Sequence, residues 1–71
     1  MTPLKIRIRI NGEGMRVENG ATVAALLALL DINAVGIAIE LNREIVPKSQ
    51  YLKTALKDND ILEVVRMAGG G

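Results

Sequence analysis

The fold is decided by residues 4–30, LKIRIRINGEGMRVENGATVAALLALL, which predict a β-hairpin followed by a helix. In residues 4–10 every second residue is Leu or Ile and those between are Lys or Arg. This period of two is typical of a strand with one buried face. Residues 11–14 predict a tight reversal, because Asn and Gly tolerate positive φ. Met15 and Val17 then alternate with charged residues and predict a second, antiparallel strand.

The second half of this stretch predicts an amphipathic helix. Thr22 is a suitable N-cap, since its hydroxyl can accept a hydrogen bond from a free backbone N–H of the first turn. Leu29 is expected beside the buried stripe, and the alanines elsewhere favour helix. The large apolar residues recur at i, i+3, i+4 and i+7, so they share one face: Val23, Leu26, Leu27 and Leu30.

The rest of the chain predicts three more strands. Residues 37–41 alternate between the two faces, and residues 61–67 form the last strand before the glycines. Residues 45–46 are a short apolar piece that fits an edge strand, because the following Pro47 cannot donate to a ladder. The connection at 48–57 is expected to pack three side chains inward: Tyr51, Leu52 and Leu56.

The predicted order is strand, strand, helix, strand, short strand, strand. One helix against one mixed sheet of four to five strands buries these apolar faces, so the fold class is α+β. A chain of 71 residues is expected to form one domain, which we place at residues 1–67, followed by a flexible glycine tail at residues 68–71. Aromatic residues make up only 1% of the chain, so the core is expected to consist of Ile, Leu and Val.

The composition argues against several classes of protein. The chain has neither Cys nor His, so it lacks disulfides and the usual nucleophiles and transition-metal ligands. Its net charge is +1, whereas nucleic-acid-binding domains usually carry a basic excess and stacking aromatics. The apolar run 21–30 is too short to cross a bilayer, and no targeting segment is visible, so we expect a cytoplasmic protein. Asp58 and Asp60 surround a turn and favour turn formation over a metal site.

The last strand is expected to bury Leu62 and Val64, because the opposite choice would bury the charge of Glu63. The residues then left on the open face near the tail are Val65, Met67 and, from the third strand, Ala38. An exposed apolar patch beside the tail is a candidate docking surface. Scattered exposed apolar residues are also ordinary on proteins, and both interpretations stay open.

The charged residues of the first strand allow two interpretations as well. Lys5, Arg7 and Arg9 form either a basic patch for an acidic partner surface or a solvated face with glutamates as neighbours. Exposed ion pairs of the second kind contribute only about 0–1 kcal/mol. The solvated face is the simpler interpretation.

The chain closes on residues 68–71, Ala-Gly-Gly-Gly, directly after the last predicted strand. With no Cys or His in the chain, the α-carboxylate of Gly71 is the best candidate for chemistry. Gly69 and Gly70 suit passage through a narrow channel of a partner, since a Cβ would be excluded there. From Met67 to Gly71 an extended chain spans roughly 13–14 Å. Glycine runs also occur as frayed ends, but the position directly after a strand favours a function.

Two segments carry a family resemblance. One is Asn42-Arg43-Glu44-Ile45-Val46-Pro47-Lys48, and the other is Asp58-Asn59-Asp60-Ile61-Leu62-Glu63-Val64-Val65, which leads to the Ala-Gly-Gly-Gly end. With the helix start, they resemble the ThiS family of thiamine-biosynthesis sulfur carriers, which have the ubiquitin-like β-grasp fold and an N-x-x-I-V-P segment. The resemblance covers nearly the whole chain. At position 59 the family often has Gly, and Asn suits the same positive φ.

The resemblance implies a carrier rather than an enzyme, with no catalytic residue, metal or cofactor of its own. A ThiF-type enzyme would use ATP to adenylate the carboxylate of Gly71. Sulfur from a cysteine desulfurase, or an equivalent donor, would displace AMP and leave a thiocarboxylate at Gly71. Thiazole synthase (ThiG) would accept this sulfur while it builds the thiazole ring. The free protein is expected to be a monomer.

Three other functions stay open. The small subunit of molybdopterin synthase shares the fold and the Gly-Gly end, and would deliver sulfur to a pterin precursor. A ubiquitin-like modifier would instead join Gly71 to lysines of its targets. A plain interaction module would have an inert tail. The compact size and the segment 42–47 favour the thiamine carrier.

Overall fold

The computed structural model describes residues 2–67, in which the chain forms five strands, one α-helix and one short 3-10 helix. The helix α1 spans Val23–Leu29, and the 3-10 helix spans Lys48–Gln50. The strands are β1 (Lys5–Ile10), β2 (Glu13–Glu18), β3 (Ile37–Leu41), β4 (Glu44–Val46) and β5 (Ile61–Arg66). The predicted α+β order is confirmed, with the 3-10 helix as an addition.

The five strands form one mixed sheet in the order β2-β1-β5-β3-β4. β1 and β5 are parallel, while the other neighbouring strands are antiparallel. β5 therefore lies at the centre of the sheet although it comes last in the chain. β4 lies at an edge, as the proline at its end predicts.

Both hairpins turn on two residues with positive φ. Asn11 (φ 49°) and Gly12 (φ 83°) join β1 to β2, and Asn42 (φ 51°) and Arg43 (φ 72°) join β3 to β4. Two-residue turns of this kind match the right-handed twist of the strands they connect. The first reversal is thus shorter than the predicted residues 11–14, because β2 already begins at Glu13.

The predicted helix cap is confirmed. The Thr22 hydroxyl Oγ1 accepts a hydrogen bond from the Ala25 backbone N–H at 3.1 Å. Leu30 caps the C-terminus of α1, and Asp31 follows with a positive φ of 56°. Leu29 is exposed, which agrees with its place beside the buried stripe.

One cluster of buried side chains joins the helix to one face of the sheet. Each fully buried aliphatic side chain stabilises the fold by about 1.5–3 kcal/mol. Aliphatic residues dominate the core as predicted, and its one aromatic member is Tyr51. The buried residues are Ile6, Ile8, Ile10, Val17, Val23, Leu26, Leu27, Ile37, Ile39, Val46, Tyr51, Leu56 and Leu62.

Two sequence expectations are corrected. Leu52 was expected to pack inward with Tyr51, but its side chain is 80% exposed. The N–H groups of Lys53 and Thr54 both donate to the Gln50 carbonyl, so the chain turns helically here. Consecutive side chains of such a turn point in different directions, and burial of Tyr51 exposes its neighbour. Leu4 is also exposed, because it precedes β1.

Candidate functional site

The last strand, β5, has the predicted orientation. Leu62 is fully buried and Val64 is half-buried, whereas Ile61, Glu63 and Val65 are exposed. The charge of Glu63 therefore stays in water, which was the reason for choosing this orientation. The strand that leads to the glycine tail is held in the sheet by its buried side chains.

The end of β5 brings the predicted docking residues to one place. Val65 lies directly opposite Ala38 in the antiparallel pair of β5 and β3. Met67 follows the strand, and its N–H donates to the Gly36 carbonyl at 2.8 Å. Val65 is 40% exposed and Met67 is 58% exposed, while Ala38 is half-buried. Val65 and Met67 are thus exposed and Ala38 lies beside Val65, and the docking role of the three residues stays a prediction.

Asn11 holds β5 at the point where β1 ends. Its backbone N–H donates to the Leu62 carbonyl at 3.0 Å, and its side-chain Oδ1 accepts from the Val64 N–H at 2.8 Å. The amide thus continues the parallel pairing one step beyond β1. Sequence reasoning treated Asn11 only as a turn residue, because no local pattern signals a contact 53 residues away.

The start of β5 is held by a polar network in the preceding turn. Asp60 is buried and accepts from the Lys57 N–H at 2.7 Å and from Asn42 Nδ2 at 3.0 Å. The Asn42 Oδ1 accepts in turn from the Ile61 N–H at 3.0 Å. These contacts orient β5 from its first residue.

The other side of the same turn is tied to β1. Asp58 Oδ1 accepts from the Arg7 N–H at 2.9 Å, and the Asn59 N–H donates to the Arg7 carbonyl at 2.6 Å. Asn59 has a positive φ of 72°, as its place in the turn predicts. The predicted turn-forming role of Asp58 and Asp60 is confirmed, since their oxygens accept from backbone and amide donors.

The open face of the sheet carries charged residues in a definite arrangement. On β1 and β2, Arg7 lies directly opposite Arg16. On β3 and β5, Glu40 lies directly opposite Glu63. Lys5 Nζ lies 3.4 Å from Glu18 Oε1, and both side chains are well exposed. Of the predicted glutamate neighbours, only Glu18 pairs with the basic strand.

The predicted chemical site itself lies outside the described residues. It comprises the carboxylate of Gly71 and the channel candidates Gly69 and Gly70. Their roles stay predictions, as does the division into a domain and a tail. None of the helices within residues 2–67 has the length and apolar character needed to span a bilayer.

The fold and this sheet arrangement define the class of protein. A hairpin, a helix and a central last strand parallel to the first make up the ubiquitin-like β-grasp fold. A crystal structure of the thiamine biosynthesis protein ThiS from Geobacter metallireducens superimposes with a TM-score of 0.83. That protein is 29% identical in sequence, and the match covers 93% of this chain and 100% of the other.

Sequence comparison gives the family. The model of the ThiS family matches residues 8–71. The sulfur carrier protein ThiS of Escherichia coli (strain K12) is 32% identical over 66 residues, which cover 93% of this chain and 100% of the relative. The chain therefore belongs to the ThiS family, and the resemblance inferred from its two segments is confirmed.

A longer relative also matches. A thiazole synthase of Paramagnetospirillum magneticum (strain ATCC 700264 / AMB-1) is 44% identical over 66 residues, or 93% of this chain. The chain spans only 20% of the length of that relative. One polypeptide in that organism thus contains a segment similar to this chain within a much longer protein.

Proposed function

We propose that this protein is a sulfur carrier of thiamine biosynthesis, which holds sulfur as a thiocarboxylate on Gly71. The observation that carries the proposal is the family match, which extends through residue 71 and so includes the glycine tail. Relatives named sulfur carrier protein ThiS in Escherichia coli and Bacillus subtilis support it. In this role the chain is a carrier on which partner enzymes act.

The proposed chemistry explains why a backbone terminus is used. An α-carboxylate is ionised at neutral pH and is a poor electrophile toward sulfur. A ThiF-type enzyme would join it to AMP from ATP and release pyrophosphate. A sulfur nucleophile then adds to the carbonyl carbon, and AMP leaves with the electron pair of the C–O bond. Sulfide gives the thiocarboxylate directly, whereas the persulfide of a cysteine desulfurase gives an acyl disulfide, which a thiol then reduces to the thiocarboxylate while a new disulfide forms on the donor side. One oxygen is thereby exchanged for one sulfur.

The division of labour between the body and the tail supports this function. β5 is held on one side by Asn11 as far as Val64 and on the other side by β3 as far as Arg66. Ordering each tail residue in a partner costs about 1–2 kcal/mol, and more for glycine. Docking by the folded body has to offset that cost. We assign this docking to Val65, Met67 and Ala38, which lie together beside the tail.

Thiazole synthase is the proposed acceptor of the sulfur. The thiazole synthase of Paramagnetospirillum magneticum supports this assignment, because it contains a segment 44% identical to this chain. Proteins that form one polypeptide in one organism commonly bind each other where they are separate chains. The adenylating enzyme and the donor, such as a cysteine desulfurase, follow from the chemistry, and we place the cycle in the cytoplasm, where ATP is available.

Intact mass spectrometry tests the proposal. The protein is incubated with ATP, a ThiF-type adenylating enzyme and a sulfide source, with the variant lacking Gly71 as control. We expect a mass gain that equals the exchange of one oxygen for one sulfur, mapped to Gly71. The shortened variant should fold equally well and gain no sulfur.

Other outcomes of the same experiment would contradict the proposal. Sulfur on the shortened variant would remove the terminal carboxylate from the mechanism. Conjugates between Gly71 and lysine side chains, without a thiocarboxylate, would support a protein modifier instead. Acceptance of the sulfur by a pterin precursor and not by thiazole synthase would assign the carrier to the other pathway.

A further inference from the structure

Few side chains of this protein can be modified by a mild oxidant. The chain has no Cys, Trp or His, so the thioethers of its three Met residues are the groups that a peroxide oxidises most readily. Its single tyrosine, Tyr51, is buried, with only 6% of its surface exposed. Met1 lies outside the described residues. The sites to compare are therefore Met15 and Met67.

These two methionines lie in different surroundings. Met15 lies on β2 directly opposite Ile8 of β1, and Ile8 is almost completely buried. The Met15 side chain is half-buried and packs against the core. Met67 follows the end of β5, and 58% of its surface is exposed. Because oxidation follows exposure, a peroxide in solution should modify Met67 before Met15.

The backbone at Met67 has a fixed position beside the start of the tail. The Met67 N–H donates to the Gly36 carbonyl at 2.8 Å, and the preceding Arg66 pairs with Ile37 of β3. The antiparallel pairing with β3 thus continues one residue beyond the end of β5. An oxygen atom added to the Met67 sulfur would therefore lie next to the tail and outside the core.

We propose that Met67 is a reversible oxidation site, at which a hydroperoxide converts an apolar side chain beside the tail into a polar one. The inference rests on the proposed function, in which this side chain packs against the partner that receives the tail. A thioether is apolar and adapts to the surface it meets, whereas a sulfoxide is polar and chiral. Oxidation of Met67 thereby lowers sulfur loading of the carrier without unfolding it.

The oxidation step needs a hydroperoxide and no other reactant. A lone pair of the Met67 sulfur attacks one peroxide oxygen, and the O–O bond breaks as the S–O bond forms. The second oxygen takes up the proton and leaves as water or, from an organic hydroperoxide, as an alcohol. The sulfur loses two electrons and the peroxide gains them. A methionine sulfoxide reductase reverses the step with two electrons from thiols and releases the oxygen as water.

The modification should act on docking and leave the fold unchanged. In the free protein the sulfoxide oxygen stays in water, and surface changes of this kind have little effect on stability. In the docked state the same oxygen loses its water, which is unfavourable without a new hydrogen-bond donor. The KM for the carrier should therefore rise while kcat changes little. Peroxides also consume sulfide and persulfides, so slower adenylation would avoid the use of ATP when sulfur is scarce.

Peroxide treatment of matched variants tests the proposal. The carrier without sulfur is treated with hydrogen peroxide, freed of peroxide with catalase and mapped by peptide mass spectrometry before any enzyme is added. Met67→Leu keeps an apolar side chain that cannot form a sulfoxide, and Met15→Leu is the matched control. Met67→Gln places a permanent polar group at the same position. Adenylation by a purified ThiF-type enzyme is measured before oxidation, after it, and after reduction by reductases for both sulfoxide epimers.

We expect oxidation to add one oxygen to Met67 before Met15 and to raise the KM of the wild type and of Met15→Leu about fivefold. The KM of Met67→Leu should not change, that of Met67→Gln should be raised without peroxide, and the reductases should restore the wild type. An equal rise in Met67→Leu, earlier oxidation of Met15, or an unchanged KM of the oxidised wild type would overturn the inference and leave the proposed function intact. A wild type that is not adenylated before oxidation would instead refute the proposed function.

Discussion

On one side of the sheet the strands bury Ile8, Ile39 and Leu62, whereas on the other side the same strands expose Arg7, Glu63 and their neighbours. The buried side joins the helix in one apolar cluster, which stabilises the fold. The open side sets like charges opposite each other, an arrangement that does not stabilise the fold. Alternate residues of the same strands therefore build the core on one face and leave like charges in solvent on the other.

The largest difference between the buried and the open face is expected for two adjacent residues of β5. Leu62→Ala removes a fully buried side chain and should lower the free energy of unfolding by about 2–5 kcal/mol. Ile61→Ala changes the half-exposed neighbour and should cost less than about 1 kcal/mol. Urea unfolding of both variants gives the two values. Equal losses would mean that the open face also carries stability.

The second test concerns the contact that holds β5 beyond the end of β1. Asn11→Gly keeps the positive φ of the turn but removes the acceptor for the Val64 N–H, and should cost about 1–3 kcal/mol. Asn11→Asp keeps an acceptor oxygen at the same place and should cost clearly less. Urea unfolding ranks the two variants. If Asn11→Asp were the more damaging, the side-chain hydrogen bond would not be the reason for Asn11.

The sequence predicted what depends on local pattern. The alternation in residues 4–10 and 61–67 predicted the two strands and, apart from Leu4, their buried faces, and the spacing from Val23 predicted the helix. The placement of Val65 on the open face followed from the cost of burying Glu63, a single local choice. Secondary structure and side-chain orientation are largely set by such short-range patterns.

The features that the sequence did not predict depend on contacts between distant parts of the chain. Leu52 was placed wrongly because its connection turns helically, and no periodicity signals a single turn. The contact from Asn11 to Val64 and the pairing of Glu40 with Glu63 both require the sheet register. Register depends on which strands become neighbours, and one sequence does not state it. The two like-charge pairs of the open face therefore emerged only from the structure.

The third test concerns the like-charge pair of Arg7 and Arg16 on the open face. Arg16→Glu replaces a like-charge pair by an opposite pair and should raise the free energy of unfolding by less than about 1 kcal/mol. The gain should shrink at high salt, because the pair is exposed to solvent. Thermal unfolding at low and high ionic strength measures both. A loss of stability at low salt would show that the two arginines do not repel each other in the folded protein.

The smallest expected effect on folding comes from Met67→Glu, at the last described residue. Its side chain is 58% exposed, and its backbone N–H donates to the Gly36 carbonyl, a contact that a substitution preserves. The free energy of unfolding should stay within about 0.5 kcal/mol of the wild-type value. Adenylation should nevertheless weaken, because a carboxylate next to the tail has to be desolvated when the partner encloses it. Met67→Leu keeps the apolar surface and should retain activity, which separates lost docking from a general effect of substitution. Full activity of Met67→Glu would move the docking surface away from the end of β5.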